Sequence, residues 1–158
     1  MCSTSRHILT LGDYSLQREL CHRVKTGDHL PIREAAQAMA AGLELPSDGV
    51  LIPIPSHIGH ATDTLLLCNE LSSLCGLPVL DVLRGAQRDS LYLLKTAGTP
   101  LPDASFLAMY LTQELPDGLK PLLVDNVIGT GLTMKAALAL VPDGIPCTLA
   151  VDYSRCTL

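Results

Sequence analysis

The residues with the clearest chemical pattern lie between positions 122 and 133, LLVDNVIGTGLT. An apolar stretch runs directly into a turn of glycine and threonine, and a helix-forming stretch follows. Glycines let backbone N–H groups turn toward an anion, and the N-terminal end of a helix attracts negative charge. The hydroxyls of Thr130 and Thr133 add hydrogen-bond donors. This pattern predicts a phosphate-binding loop that comprises Val127, Ile128, Gly129, Thr130, Gly131, Leu132 and Thr133.

Two polar residues precede this turn at the predicted carboxyl end of a strand, where ligands bind in open α/β sheets. The carboxylate of Asp125 can accept hydrogen bonds from a sugar diol, or help to hold a hydrated Mg²⁺ through water. Asn126 can hydrogen-bond one sugar hydroxyl but contributes no charge toward a metal. We therefore predict that both residues contact a sugar and that Mg²⁺ is the cofactor. The alternative is a tight strand-to-helix turn without a ligand.

The elements that must position these residues follow from the apolar patterns and from the Gly and Pro residues between them. Strands and helices alternate, which indicates βαβ crossovers, a parallel sheet and helices on both faces. The expected fold is therefore an α/β doubly wound domain. Predicted helices span residues 14–24, 31–43, 61–75, 103–115 and 131–140. Predicted strands span residues 50–55, 78–83, 119–127 and 145–153. Residues 84–102 are predicted to leave the sheet and form a hairpin.

Composition limits the classes of function that the chain can have. Its 158 residues, of which 47% are hydrophobic, fit one domain. A net charge of −5 and only 3% aromatic residues argue against nucleic-acid binding. No apolar run is long enough to span a bilayer, so no membrane partner is expected. Six scattered cysteines without a CxxC pair, and a start without a secretory apolar segment, indicate a reduced, cytoplasmic protein.

Residues 125–133 resemble the signature with which type I phosphoribosyltransferases bind phosphoribosyl diphosphate (PRPP). That signature is an apolar strand, an acidic pair, two further residues and then TG-x-T or a near variant. The pattern differs from the dinucleotide GxGxxG fingerprint and from a Walker A loop, which requires Gly-Lys-Ser/Thr. The N-terminal half is similar to the ComF-like, competence-associated branch of the family. The similar positions are Tyr14, Arg18, the segment VKTGD at 24–28, the IPIP strand at 52–55 and Gln87.

The chain also departs from the family pattern. Asn126 replaces the usual second acid of the pair, although uracil-type relatives also keep one acid. The basic pyrophosphate loop and the Arg-Gly-Phe-Asn-Gln run of typical ComF proteins are absent, and so is the cysteine-rich zinc module often found at the start of that branch.

The resemblance implies that residues 1–158 form a single phosphoribosyltransferase-like domain. Residues 1–45 form an N-terminal helical part and hood, and residues 46–158 form the PRPP-binding core. A second loop after the first core strand holds the diphosphate, where His57 and His60 can donate hydrogen bonds. This diphosphate loop comprises Ser56, His57, Ile58, Gly59 and His60. The flexible-loop or hood candidates are Arg88, Lys95 and Lys25. The alternative interpretation, which we favour, is a solvated hairpin for Arg88 and Lys95 and a cation at the C-terminal end of a helix for Lys25.

The implied activity is a Mg²⁺-dependent transfer of ribose 5-phosphate from PRPP to a nitrogen acceptor, with release of diphosphate. The alternative is a non-catalytic regulatory module that binds PRPP or a nucleotide. The acceptor stays open, because the N-terminal part contains no recognisable base-reading pattern. A homodimer is the default expectation for such a protein.

Overall fold

The computed structural model describes residues 7–98, 100 and 103–158, without the side chains of Tyr92 and Lys95. The elements in chain order are β1 (Leu9–Thr10), α1 (Tyr14–Val24), α2 (His29–Gly42), β2 (Gly49–Pro53), α3 (Asp63–Cys75), β3 (Leu83–Arg84), α4 (Leu91–Thr96), β4 (Tyr110–Leu111), β5 (Lys120–Ile128), α5 (Leu132–Leu140) and β6 (Ile145–Val151). A single 3-10 turn covers Ala104–Leu107.

Four of the strands form a parallel sheet in the order β1-β6-β5-β2. The central strands β5 and β6 read as almost continuous apolar runs because both faces of the sheet are covered. Helices α1, α2 and α3 pack on one apolar cluster, and α5 packs on another. The fold is a doubly wound α/β fold, which confirms the prediction. Among the described residues, no helix combines the length and the apolar character needed to cross a lipid bilayer.

The alternation of side chains along the strands explains why two separate clusters form. In β2, Leu51 packs into the cluster beneath α1–α3, while its neighbour Ile52 packs into the cluster beneath α5. In β5, Leu122 and Val124 belong to the first cluster and Leu123 belongs to the second. Successive residues of a strand point to opposite faces, so one apolar run supplies both layers of the core.

Several elements have the predicted boundaries. Helix α1 matches residues 14–24, and β5 and α5 each lie within one residue of the prediction. Helix α2 begins two residues earlier than predicted, because Asp28 caps it by accepting a hydrogen bond from the Leu30 N–H (3.2 Å). Pro31 therefore occupies the third helical position rather than the first.

The predicted strand at 78–83 is wrong. Only Val79 pairs with the sheet, through a single parallel bridge to Leu51. The Leu51 N–H donates to the Pro78 carbonyl (2.8 Å) and the Leu80 N–H donates to the Leu51 carbonyl (2.8 Å), and the chain leaves the sheet after this one pair. Leu83 and Arg84 instead pair in antiparallel fashion with β4.

The predicted helix at 103–115 is also wrong beyond its first turn. Asp103 is the N-cap, as expected, and accepts a hydrogen bond from the Ser105 N–H (3.0 Å). Ala108 then adopts a left-handed conformation (φ 43°), which ends the turn, and β4 follows. The excursion at 84–102 contains α4 rather than a hairpin of its own, and the β3–β4 pair closes it at its base.

Candidate functional site

A cavity of about 500 Å³ lies at the carboxyl end of β5, between the N-terminal end of α5 and one face of α1. This is the edge of a parallel sheet at which ligands bind in open α/β folds. The lining residues from β5, the following loop and α5 are Asp125, Val127, Ile128, Gly129, Thr130, Gly131, Leu132, Thr133 and Met134. The remaining lining residues are Tyr14, Arg18, His22, Lys25, Leu91, Asp152 and Arg155.

The loop before α5 presents an uncapped helix N-terminus to this cavity. Gly131 is the N-cap residue and has φ 86°, a left-handed conformation that glycine adopts without steric cost. Within the described part of the chain no side chain caps this helix at Gly131, whereas Asp13 caps α1 and Asp28 caps α2. The first N–H groups of a helix have no partner within the helix. In α5 the Leu132 N–H makes a long hydrogen bond to Thr130 Oγ1 (3.4 Å), and the N–H groups that follow it have no side-chain cap and can donate to an anion in the cavity.

The C-terminal segment holds the carbonyl groups of this loop. The Asp152 N–H donates to the Ile128 carbonyl (2.9 Å), and Thr157 donates to the Thr130 carbonyl from its N–H (3.2 Å) and its Oγ1 (3.1 Å). The described peptide bonds are all trans, so each carbonyl points away from the N–H of the next residue. Holding these two carbonyls against the C-terminal segment turns the N–H groups of the two loop glycines in the opposite direction.

Asp125 is half-buried at the base of the cavity. Its Oδ1 accepts a hydrogen bond from the Asn126 N–H (2.7 Å). Burial raises the pKa of Asp125 to about 6, although backbone hydrogen bonds and the positive charge of Lys25 act in the opposite direction. Above that pH the cavity contains a poorly solvated carboxylate, which is a strong acceptor for hydroxyl groups.

Helix α1 and its C-cap residue Lys25 supply the wall that faces the loop before α5. Tyr14, Arg18, His22 and Lys25 all line the cavity, at spacings of four, four and three residues that place them on one helix face. A hydrogen bond joins Tyr14 Oη and His22 Nε2 (2.8 Å), and the two rings stack with centroids 6.4 Å apart. The family resemblance included Tyr14 and Arg18, but sequence reasoning missed His22, which the four-residue spacing could have indicated.

Two further charged residues of the site come from the C-terminal segment and were not anticipated. Arg155 and Asp152 line the cavity and form an ion pair with one another (3.7 Å). Neither belongs to a recognisable motif. Their place in the site follows from the packing of residues 152–158 against the loop before α5, which no local pattern in the sequence indicates.

The predicted diphosphate loop lies outside this cavity. Within residues 56–60, the Ser56 N–H donates to the His60 carbonyl (2.9 Å) and the Gly59 N–H donates to the Ser56 carbonyl (3.1 Å). The loop also packs on the excursion, since the Arg88 N–H donates to the His57 carbonyl (2.9 Å). The N–H groups of Ser56 and Gly59, which were expected to hold a diphosphate, therefore already donate hydrogen bonds within the loop.

Asn126 and Arg88 do not line the cavity either. The side chain of Asn126 is buried (6% exposed), and its Oδ1 has no hydrogen-bond partner within the described residues. The guanidinium of Arg88 donates to the Asp89 carbonyl (3.1 Å). The side chain of Lys95 lies outside the described part of the structure. Asp125 and residues 127–133 thus share one cavity with Lys25, whereas Asn126, Arg88 and the predicted diphosphate loop lie elsewhere.

The polar groups that line the cavity suit a metal ion that is coordinated mainly by water and by a bound substrate. Among the described residues, no group of three or more His, Cys, Asp or Glu side chains could hold a metal. Asp125 offers one carboxylate, and Asp152 is engaged with Arg155. Mg²⁺ often binds through one or two carboxylates together with waters and phosphate oxygens of a substrate. A Mg²⁺ ion would therefore contact the protein at Asp125, through water.

Comparisons with known proteins assign no family to this chain. No protein-family model matches the chain, and no curated protein matches it. Among solved structures, a hypothetical protein from Neisseria gonorrhoeae with bound ppGpp is similar at 18% sequence identity. The similarity covers 95% of this chain and 72% of that chain, with a TM-score of 0.41. A similarity of this size assigns neither a family nor a ligand to this chain.

Proposed function

We propose that the cavity binds PRPP and that the chain transfers its ribose 5-phosphate unit to a nitrogen acceptor, with release of diphosphate. One observation carries this proposal: an uncapped helix N-terminus and a half-buried carboxylate share a single cavity with cationic side chains. The backbone N–H groups of residues 129–133 suit the 5′-phosphate, and Asp125 suits the two ribose hydroxyls.

The chemistry of transfer fits the charges of this cavity. The bond between C1 and the diphosphate oxygen breaks, and its electron pair leaves with diphosphate. The lone pair of the acceptor nitrogen forms the new bond to C1, and the nitrogen then releases a proton to solvent. Positive charge develops on the ribose ring during this exchange, and the Asp125 carboxylate stabilises that charge. Mg²⁺, when bound, neutralises charge on the leaving diphosphate.

A second candidate function is a regulatory module that binds PRPP or a nucleotide without turnover. Two observations favour it. The predicted diphosphate loop at 56–60 does not line the cavity, and Asn126 does not reach it. Both functions require the same binding of a ribose 5-phosphate unit, and they differ only in whether diphosphate is released.

One pair of measurements tests the proposal and separates the two functions. The first measures the melting temperature with PRPP, ribose 5-phosphate and nucleotide 5′-monophosphates. Ligand at about 100 times its dissociation constant adds about 2.7 kcal/mol to stability. The second measures diphosphate release from PRPP with Mg²⁺ and a panel of purines, pyrimidines and small amines. Release that depends on an acceptor supports the transferase.

Binding without release across the panel would identify the regulatory module instead. If neither PRPP nor any 5′-phosphate raises the melting temperature, both functions are rejected.

A further inference from the structure

The lysine and arginine side chains of the described residues divide into those with a partner and those without. Ion pairs with carboxylates occupy Arg23, Arg33, Arg84, Lys120 and Arg155. Lys135 donates to Thr157 Oγ1 (2.7 Å), and Arg88 donates to a backbone carbonyl. Among the described cationic side chains, Arg18 and Lys25 remain without an ion pair or hydrogen bond, and both line the cavity.

Arg18 lies in α1, and Lys25 is the C-cap residue that directly follows this helix. They are seven positions apart, which is about two helical turns or about 10 Å along the helix axis. Lys25 is close enough to Asp125 for its charge to lower the pKa of that carboxyl group. Across the cavity, the loop before α5 offers backbone N–H groups rather than cationic side chains. The cavity therefore contains two separate groups of hydrogen-bond donors, the backbone N–H groups of this loop and the side chains of Arg18 and Lys25.

We propose that Arg18 and Lys25 form a second anion subsite, which binds a second phosphate group carried by the same phosphorylated ribose. This inference rests on the proposed function, in which residues 129–133 bind the 5′-phosphate. It assigns to α1 the role that the sequence analysis gave to the loop at 56–60. The second phosphate group has two chemical sources: the C1 diphosphate of PRPP, and a 3′-phosphate as in adenosine 3′,5′-bisphosphate.

The test compares ligands that differ only in the second phosphate group. Isothermal titration measures the affinity of Arg18→Gln and Lys25→Gln variants for PRPP and for ribose 5-phosphate, in the presence of Mg²⁺. A charged hydrogen bond is expected to contribute about 10- to 100-fold in affinity. PRPP binding should fall by that factor in each variant, while ribose 5-phosphate binding should fall by less than about threefold.

Arg23→Gln is the matched control, because Arg23 lies on the same helix and pairs with Glu34 (3.1 Å) rather than lining the cavity. It should change neither affinity. Arg18→Lys keeps the charge and should recover part of the PRPP affinity. Titrations at about pH 8 keep Asp125 ionised in every variant, so that a change in its pKa does not enter the comparison. The same titrations with adenosine 3′,5′-bisphosphate and adenosine 5′-monophosphate distinguish the two sources of the second phosphate.

The inference is overturned if wild-type protein binds PRPP and adenosine 3′,5′-bisphosphate no more tightly than their single-phosphate counterparts. It is also overturned if the variants lose equal affinity for both members of each ligand pair. Either result leaves the proposed binding of the 5′-phosphate intact. Absence of any binding of ribose 5-phosphate would instead reject the proposed function, and the subsite with it.

Discussion

Replacing Asp125 with asparagine should stabilise the protein in the absence of ligand. The pKa of Asp125 rises from its ordinary value of 3.8 to about 6 because burial disfavours the charged form. One pKa unit corresponds to about 1.4 kcal/mol, so the ionised carboxylate costs up to about 3 kcal/mol. Partial exposure to water in the cavity reduces that cost, and we expect about 2 kcal/mol. Asparagine keeps an oxygen that can accept the Asn126 N–H.

The pH dependence follows from the direction of the shift. The folded state binds this proton more tightly than the unfolded state, so the stability from Asp125 is fully present below about pH 4. It is lost as the pH rises through about 6, since the folded state must then hold the charge. The variant should therefore match wild type near pH 4 and exceed it above about pH 7. Subtracting the two curves cancels the titration of all other groups.

Urea unfolding at several pH values between about 4 and 8 measures this difference. With an m-value of about 2 kcal/mol per molar, the expected shift of the midpoint is about 1 M at pH 8. The same variant should bind ribose 5-phosphate more weakly, with little change for methyl phosphate, which has no diol. A variant that is less stable than wild type by the same amount at every pH would refute the reasoning, because the carboxylate would then support the fold.

Four other predictions concern the loop, the residue that supports it and the charge of Asp125. Gly129→Ala should leave the melting temperature unchanged, because the added Cβ meets nothing within 4 Å. It should weaken phosphate binding by about tenfold or more, because the added methyl group hinders the approach of an anion to the backbone N–H groups. Gly131→Ala should lower the melting temperature as well, because φ is 86° and the Cβ would approach Leu158 Cγ to 2.9 Å. Thr157→Val should weaken phosphate binding several-fold, and Thr157→Ser should restore it, as isothermal titration can show. Ribose 5-phosphate affinity should fall below about pH 6 more steeply than methyl phosphate affinity, because protonated Asp125 loses its charge.

The parts of the fold that could be predicted are those determined by neighbouring residues. The apolar run of β5 leads directly into a glycine turn and then into α5. Each local pattern agrees with the prediction for the element beside it, so the three could be predicted together. The helix predicted at 103–115 failed because a non-local interaction prevailed. Residues 110–111 pair with residues 83–84, and no local pattern indicates that pairing.

The candidate site shows the same division. Asp125 and the loop after it were predicted because one continuous segment carries them. His22 and Arg155 were not, because they reach the cavity only after α1 and the C-terminal segment have packed around the sheet. Asn126 was expected beside Asp125, but successive residues of a strand point to opposite faces. Only one of the two side chains lines the cavity.

The attachment of α1 to the sheet has a kinetic consequence. Strand β1 pairs with β6, the Val151 N–H donates to the Gly12 carbonyl (3.0 Å), and Asp13 bridges to Val151. Contacts between positions so distant in the sequence carry a large loop-closure cost and form slowly. We therefore expect the wall of the cavity to be completed after β5 and α5 have formed their local contacts. During refolding, ligand binding should return in a later phase than the helical circular dichroism signal.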